Sequence, residues 1–452
     1  MGRAQGERRA LDRLAIPAII AGIAEPLIGL IDTAFVGRLG TADLAAVGIA
    51  TSFFLLVVWV LAQTRSAILA VVARYFGRND LYAIQDLVPL AIWMNFALGL
   101  SFFAITSFFA EPIFSLYNAE GEVLHKAVAY YRIRSIGHPI VLATFALSGV
   151  FRGLQNTSWS MWAGILGALV NIALDPWFIF GGAGVPAMGI EGSAWASVLA
   201  QCVMLAYSLL ILYTRTPFRI LPKRWSHPEL GGLVGLSGNL FIRTISLNVA
   251  YFLGNRFATG YGDAHIAAHS IAMQVWLFSA FFIDGYAAAG SVLAGKFAGQ
   301  GDTVALYRTG RQVMWRSVWI GAALAVCMLM GYSWMASGFT SDGTVITLFN
   351  GIFWMVLLTQ PINAVAFAYD GLLKGLGAGG LLRNTLLITT FFLFVPTIFL
   401  GDRLGWGLHG VWTAFLVWMI GRGWVLTSHF ERRYHPTRSR VRSSVPGTDP
   451  AR

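Results

Sequence analysis

The sequence predicts an all-α integral membrane protein with twelve transmembrane helices, arranged as two parallel-repeat lobes of six helices each. Three observations carry this. Of 452 residues, 56% are hydrophobic and only 12% charged, with a mean hydropathy of +0.65; a soluble chain carries roughly twice that charged fraction. Apolar runs of about 20 residues, enough to cross a hydrocarbon core about 30 Å thick, recur from Leu14 almost to Phe430. A spanning segment has to satisfy its own backbone hydrogen bonds, which a long run does as a helix, and the alternation of barrel strands over about ten residues is missing. The third observation is that the second half of the chain repeats the first.

The repeat holds one register across separated sites. Shifted by 222 positions, Leu44-Ala45-Ala46 falls on Ile266-Ala267-Ala268, and Arg74-Tyr75-Phe76-Gly77 on Lys296-Phe297-Ala298-Gly299. Asp80 falls on Asp302 and Arg152-Gly153-Leu154 on Lys374-Gly375-Leu376; near the end the shift becomes 218, and Gly189 and Gly192 meet Gly407 and Gly410. An even number of helices per half starts both copies on the same side. The repeats are therefore parallel, a layout that places substrate near the bilayer midplane between rocking halves.

Taken in order, the chain reads as an N-terminal cytoplasmic tail (1–13) and an N-lobe (14–213) with helices near 14–37, 44–74, 84–109, 123–151, 160–181 and 190–213. A polar linker (214–231) follows, holding Pro217, Pro222 and Pro228. The C-lobe (232–430) has helices near 233–257, 266–296, 306–334, 345–373, 381–400 and 407–429. A basic, Pro- and Ser-rich tail (431–452) has the composition of disorder. The arginines before Leu14 resemble a signal peptide, but the apolar run outlasts a signal's core of about 7–15 residues without a small-residue cleavage site, so it reads as a retained first span.

Net charge is +11, and it does not point to nucleic acid. The basic residues sit in tails and short loops, where they set topology. With the N-terminus inside, the loops and ends facing out hold only Arg38, Lys126, Arg256 and Arg403. That asymmetry puts both termini in the cytoplasm and the protein in the cytoplasmic (inner) membrane as a multi-pass chain. Six arginines fall within the helix limits and stand outside this tally: Arg65, Arg132, Arg134, Arg243, Arg316 and Arg422. Cys202 and Cys327 occupy separate apolar segments with no Cys-x-x-Cys spacing, and read as buried bystanders rather than metal or redox groups.

Charges inside a membrane are costly, so each is a functional candidate. Five carboxylates fall well inside apolar runs: Glu25, Asp32, Asp175, Asp284 and Asp370. Glu25 and Asp32 share one face of the first helix, two turns apart, with Pro26 between them as a kink site. Asn171 and Asp175 share a face of the fifth helix, and Ser193 opens the sixth. Asp32, Asn171, Asp175 and Ser193 together make a polar N-lobe pocket. Taking a carboxylate out of water favours its protonated form, and such a pocket can let a proton drive a conformational switch. The competing interpretation is that these acids lock helices through buried hydrogen bonds.

In the C-terminal half, Asp284 and Asp370 each precede a glycine. Arg243 inside the seventh helix needs a counter-ion, so a structural ion pair with one of them competes with a cation or proton site. Arg65 has the same two interpretations, with Glu25 as a candidate partner. His138, His265 and His269 lie near helix ends or loops and read as structural.

Gly260-Tyr261-Gly262-Asp263 and Tyr369-Asp370 imitate the motifs of intramembrane aspartyl proteases, but in reversed chain order and with Asp263 in an external loop. Paired carboxylates have to face each other at one depth to share a proton, so the chain is read as no enzyme. It also lacks the Gly-x-x-x-x-Gly-Lys-[Ser/Thr] phosphate loop and a filter-like carbonyl loop.

One ordered set of residues is similar to a known family. Glu25-Pro26-Leu27 and Asp32-Thr33-Ala34-Phe35-Val36-Gly37-Arg38-Leu39-Gly40 resemble the first helix of MATE (multidrug and toxic compound extrusion) transporters of the DinF-like branch. Leu44-Ala45-Ala46-Val47-Gly48, Phe151-Arg152-Gly153-Leu154-Gln155, Asn171-Ile172-Ala173-Leu174-Asp175 and Gly189-Ile190-Glu191-Gly192-Ser193-Ala194 continue it. Ile242-Arg243-Thr244, Asp284-Gly285 and Asp370-Gly371 complete a resemblance that covers residues 10–430.

The resemblance implies two six-helix lobes that open alternately to each side. It implies efflux of bulky, cationic or amphipathic organic compounds in exchange for protons, or for sodium in the alternative. Asp32 takes the place of the coupling carboxylate, Asn171 and Asp175 that of the fifth-helix pair, and Ser193 that of the sixth-helix hydroxyl. Asn363 stands where other branches carry a tenth-helix Asp, which argues against a C-lobe sodium site of that type. Ile68-Leu69 replaces hydroxyl residues common in helix two. No cofactor beyond the coupling ion is expected. The expected partners are small organic substrates and the lipid bilayer, with no nucleic acid, and the expected state is a monomer. A lipid or lipid-linked-sugar flippase of related fold is the rival; cavity arginines for phosphate, with Arg65, Arg243 and Arg316 as candidates, would favour it.

Overall fold

The computed structural model describes residues 2–182 and 184–436, without the side chains of residues 2–5, 7–8, 23–31 and 333. The side chains of Glu25 and Pro26 therefore lie outside the described ones, within backbone that is helical from Gly2 to Val36, and the tail beyond residue 436 lies outside the described residues.

Among the described residues the chain is helical apart from the connections between helices. In order the long helices are α1 (Gly2–Val36), α2 (Thr41–Gly77, broken at Ala62), α3 (Leu81–Phe108), α4 (Gly121–Arg134 and Gly137–Gly153), α5 (Ser158–Phe180) and α6 (Gly189–Arg215). Then come α7 (Leu230–Gly260), α8 (Asp263–Gln300), α9 (Thr303–Met330), α10 (Gly343–Gly375), α11 (Gly379–Arg403) and α12 (Leu408–Tyr434). Among the described residues, nine of these are long and apolar enough to cross a membrane, and the two halves of α4, bent by 44°, make a tenth. With α1 and α12 they follow the twelve expected helices in order. The only extended pairing among the described residues is an isolated bridge between Gly182 and Val185.

The sequence reading shows its errors at ends and breaks. α1 begins at Gly2 rather than 14, and α12 runs on to Tyr434. The break in α4 and a π-helical turn at Thr390–Phe394 in α11 were not legible, because hydropathy reports length and not local hydrogen bonding. Cys202 and Cys327 correct another expectation, since both are exposed. An apolar run does not say which of its faces meets lipid, and a thiol is tolerated on either. His138 and His269, expected at ends or loops, are fully buried.

The chain forms two compact units. One is Ile20–Ser237; the other joins Met1–Ile19 to Gly238–Arg452. The divisions fall inside α1 and inside α7, and contacts near the start of each helix fit this. Asp12 of α1 accepts hydrogen bonds from Tyr286 of α8 (2.9 Å) and from Arg316 of α9. Glu229, just before α7, accepts from Arg74 (3.0 Å) and Tyr75 (2.9 Å) at the end of α2.

Within each unit the repeat is visible in packing. A Cβ on Gly149 or Gly153 of α4 would stand 2.6 Å from the Arg65 carbonyl oxygen or from Val72 Cβ of α2. Gly371 and Gly375 of α10, at the positions equivalent under the 222-residue shift, lie as close to α8: a Cβ there would meet the Ala287 and Ser291 carbonyl oxygens at 2.4 and 1.9 Å. Glycines four apart let two helix backbones touch, which is how helices without a water-driven hydrophobic force gain contact in a membrane.

Gly375→Leu should therefore lower stability by about 1–3 kcal/mol through forced separation of α8 and α10. Gly238→Ala, where nothing lies within 4 Å of the added carbon, should not. Thermal unfolding of the detergent-solubilised variants checks this; equal melting temperatures would remove the close-packing account.

Candidate functional site

The unit Ile20–Ser237 assembles the predicted polar pocket. α5 carries Asn171 and Asp175 four residues apart, hence on one face, and both are buried, Asp175 completely. Pro176 follows inside the helix. It has no N–H to return to the carbonyl four residues back, so the backbone hydrogen bonding beside Asp175 is locally opened. α6 is drawn against α5 by Gly192, whose Cβ would lie 2.4 Å from the Phe178 carbonyl oxygen. That close approach sets Ser193, 1% exposed, beside Asp175. From α1, the half-buried Asp32 reaches the same point, and its carboxylate meets that of Asp175.

The chemistry of this contact follows from a shortage of donors. Asp32 Oδ1 and both carboxylate oxygens of Asp175 are buried, and among the described residues none has a partner in hydrogen-bond geometry, with the Ser193 hydroxyl the nearest donor to Asp175; the Asn171 Nδ2 is also unpartnered. Two carboxylates in contact cannot both hold a charge cheaply, and a single proton between them removes one charge and supplies one donor. The pair then titrates as a unit rather than as two separate groups.

A further charged group stands near it. Arg134 of α4 is within electrostatic reach of both Asp32 and Asp175, and Tyr130 lies one turn before it with its hydroxyl 3.4 Å from Thr51 Oγ1. The sequence contained the signal, an arginine inside an apolar helix, but its direction around the helix was not legible. The pocket expected from the sequence, Asp32, Asn171, Asp175 and Ser193, holds no cation.

The second unit treats its charges differently. Arg243 of α7 donates to both oxygens of Asp370 of α10 at 2.8 Å, with Nε adding a 3.1 Å bond. Lys374, one turn on, lies 2.8 Å from Asp370 Oδ2, and Arg422 of α12 3.9 Å from Oδ1. Asp370, Arg243 and Arg422 are all buried. The structural ion pair is thus what forms at Asp370. Asp284 is exposed and within electrostatic reach of the same cations. Asn363 is buried in α10. Arg65 lies over the Phe145 ring, 5.1 Å from its centroid, and its suggested partner Glu25 is outside the described side chains. Removing one partner from a buried ion pair strands the other, at about 3–5 kcal/mol. Asp370→Ala should therefore melt well below the parent, whereas Asp284→Ala, exposed and without such bonds, should melt close to it. Calorimetry of both variants in detergent decides, and an undiminished Asp370→Ala would contradict the structural role.

Known proteins agree with this architecture. The MatE family model matches residues 17–177 and again 240–400, once in each repeat. Protein DETOXIFICATION 44, chloroplastic, of Arabidopsis thaliana is 28% identical over 433 residues, covering 90% of this chain and 79% of the relative. DNA damage-inducible protein F of Escherichia coli (strain K12) is 26% identical over 445 residues, covering 94% and 92%. A solved structure of a multidrug resistance MATE family transporter in an outward-facing conformation superposes with a TM-score of 0.86 at 20% identity, over 97% of each chain. With both of its repeats matched in tandem and its helices in the same arrangement, this chain belongs to the MATE family of membrane transporters.

Proposed function

We propose that the protein is a secondary active antiporter that exports organic, amphipathic or cationic compounds in exchange for protons, coupled through Asp32 and Asp175. The observation that carries this is the contact of the two carboxylates, three of whose oxygens are buried with no partner in hydrogen-bond geometry among the described residues. Such a pair accepts a proton from one side of the membrane and gives it up to the other when the pocket changes shape. Asn171 and Ser193 supply neutral hydrogen-bonding groups around it. Membership in a family of transporters supports efflux over catalysis, and the positive charge of the cytoplasmic-side loops supports a cytoplasmic-membrane placement with both ends inside.

Sodium coupling in the second unit has less support. Asp370 is held by Arg243 and Lys374, and a carboxylate satisfied by two cations has little left to offer a metal ion. An amide, Asn363, stands at the other expected position. The flippase alternative is weakened in the same way. Of the arginines that would bind phosphate, Arg243 is spent on Asp370 and Arg316 on Asp12.

In proteoliposomes loaded with a fluorescent organic cation, a proton gradient alone should drive transport by the parent protein. Asp32→Asn and Asp175→Asn should reduce it to the level of empty liposomes. Transport that needs a sodium gradient, or that persists in Asp32→Asn, would move coupling away from this pair.

A further inference from the structure

The break in α4 has a chemical use. Arg134 is the last residue before it, and Gly137 the first residue after. The guanidinium lies 3.8 Å from the centroid of Phe54 of α2, a geometry that holds a cation in an apolar place without neutralising it. Its Nη1 is buried and has no hydrogen-bond partner among the described residues, and the same is true of Gln201 Oε1 on α6. Both flank Gly137, where a Cβ would stand 2.1 Å from Gln201 Oε1 and 3.0 Å from Arg134 Nη1. The arginine is thus confined by Phe54, Gly137 and Gln201, with its charge uncancelled by any carboxylate bonded to it among the described residues.

We propose that Arg134 sets the charge at which the Asp32–Asp175 pair works, by cancelling the one negative charge the pair keeps while it shares a proton. Two carboxylates, one proton and one guanidinium sum to zero, so the loaded site is neutral. Loss of the proton leaves a net charge of −1, which a monovalent organic cation restores to zero. With either one proton or one such cation bound the site carries no net charge, and an uncompensated charge inside the bilayer is the state that costs most. The titratable neighbours from the packed helices are Asp32 (α1), Tyr130, Tyr131 and His138 (α4) and Asp175 (α5). α2 contributes Thr51 and Phe54, and α6 Ser193 and Gln201, none of them charged. The only cation in that set at neutral pH is Arg134.

This inference rests on the proton-coupled function, and the test separates the two. The protein in lipid nanodiscs is titrated by infrared difference spectroscopy, following the carboxylic C=O stretch that disappears in Asp32→Asn. In Arg134→Gln the midpoint of that band should move to higher pH by about one unit or more, the scale of one charge at near-contact distance in a medium of effective permittivity about 20. Arg134→Lys, which keeps the charge, should return most of the shift, and it carries the test if Arg134→Gln does not fold: its band must then stay at the parental midpoint. An Asp32-dependent band whose midpoint is the same in Arg134→Gln, or displaced as far in Arg134→Lys, overturns the role of Arg134 and leaves the coupling pair standing. A parent protein with no Asp32-dependent band overturns both.

Discussion

A charge buried in a bilayer has to be answered by another charge, by hydrogen bonds or by a proton. This protein uses different answers in its two units. Asp370 is surrounded by Arg243, Lys374 and Arg422 and is thereby removed from chemistry. Asp32 and Asp175 have each other, and Arg134 within reach. An acid facing a fixed cation in hydrogen-bond contact is a structural element, whereas an acid facing another acid is an element that wants a proton. Aspartate and arginine are thus found in both halves of the repeat, bonded to each other in one and only within electrostatic reach in the other.

The packing serves this division. Gly192 brings α6 onto α5 so that Ser193 lies beside Asp175, and the paired glycines of α4 and α10 bring backbones together within their own units. The contacts of Gly192, Gly149, Gly371 and Gly375 are with main-chain carbonyls, which do not swing aside as side chains do, so Asp175 and Ser193 stand on closely packed helices. The starts of α1 and α7 are tied by carboxylate to Arg and Tyr pairs, Asp12 in one unit and Glu229 in the other. Each helix therefore carries an anchored end in one unit and continues into the other.

Much of this was legible in the sequence because membranes impose simple rules. Long apolar runs located the helices, and their spacing of four put Asn171 and Asp175 on one face. A carboxylate inside such a run had to be answered somehow, which singled out Asp32, Asp175 and Asp370. What stayed hidden depends on rotation and on the neighbour across the gap. Arg243 and Asp370 are 127 residues apart, and nothing local says that one answers the other. Arg134 was visible as a charge but not as a member of the acidic pocket, because the break after it turns the helix. Cys202 and Cys327 were placed on the wrong side of their helices for the same reason: hydropathy alone does not separate a lipid-facing surface from a core.

The central claim is that Asp32 and Asp175 hold one proton between them and yield it to substrate. The direct measurement is proton release on binding: rhodamine 6G is added to the detergent-solubilised protein in weakly buffered solution, and a pH indicator records the protons set free per molecule bound. The account predicts about one proton, as for a coupled carboxylate pair, and none in Asp32→Asn or Asp175→Asn variants that still bind the dye. Binding with no proton released by the parent protein, or with the same release in both variants, would contradict it.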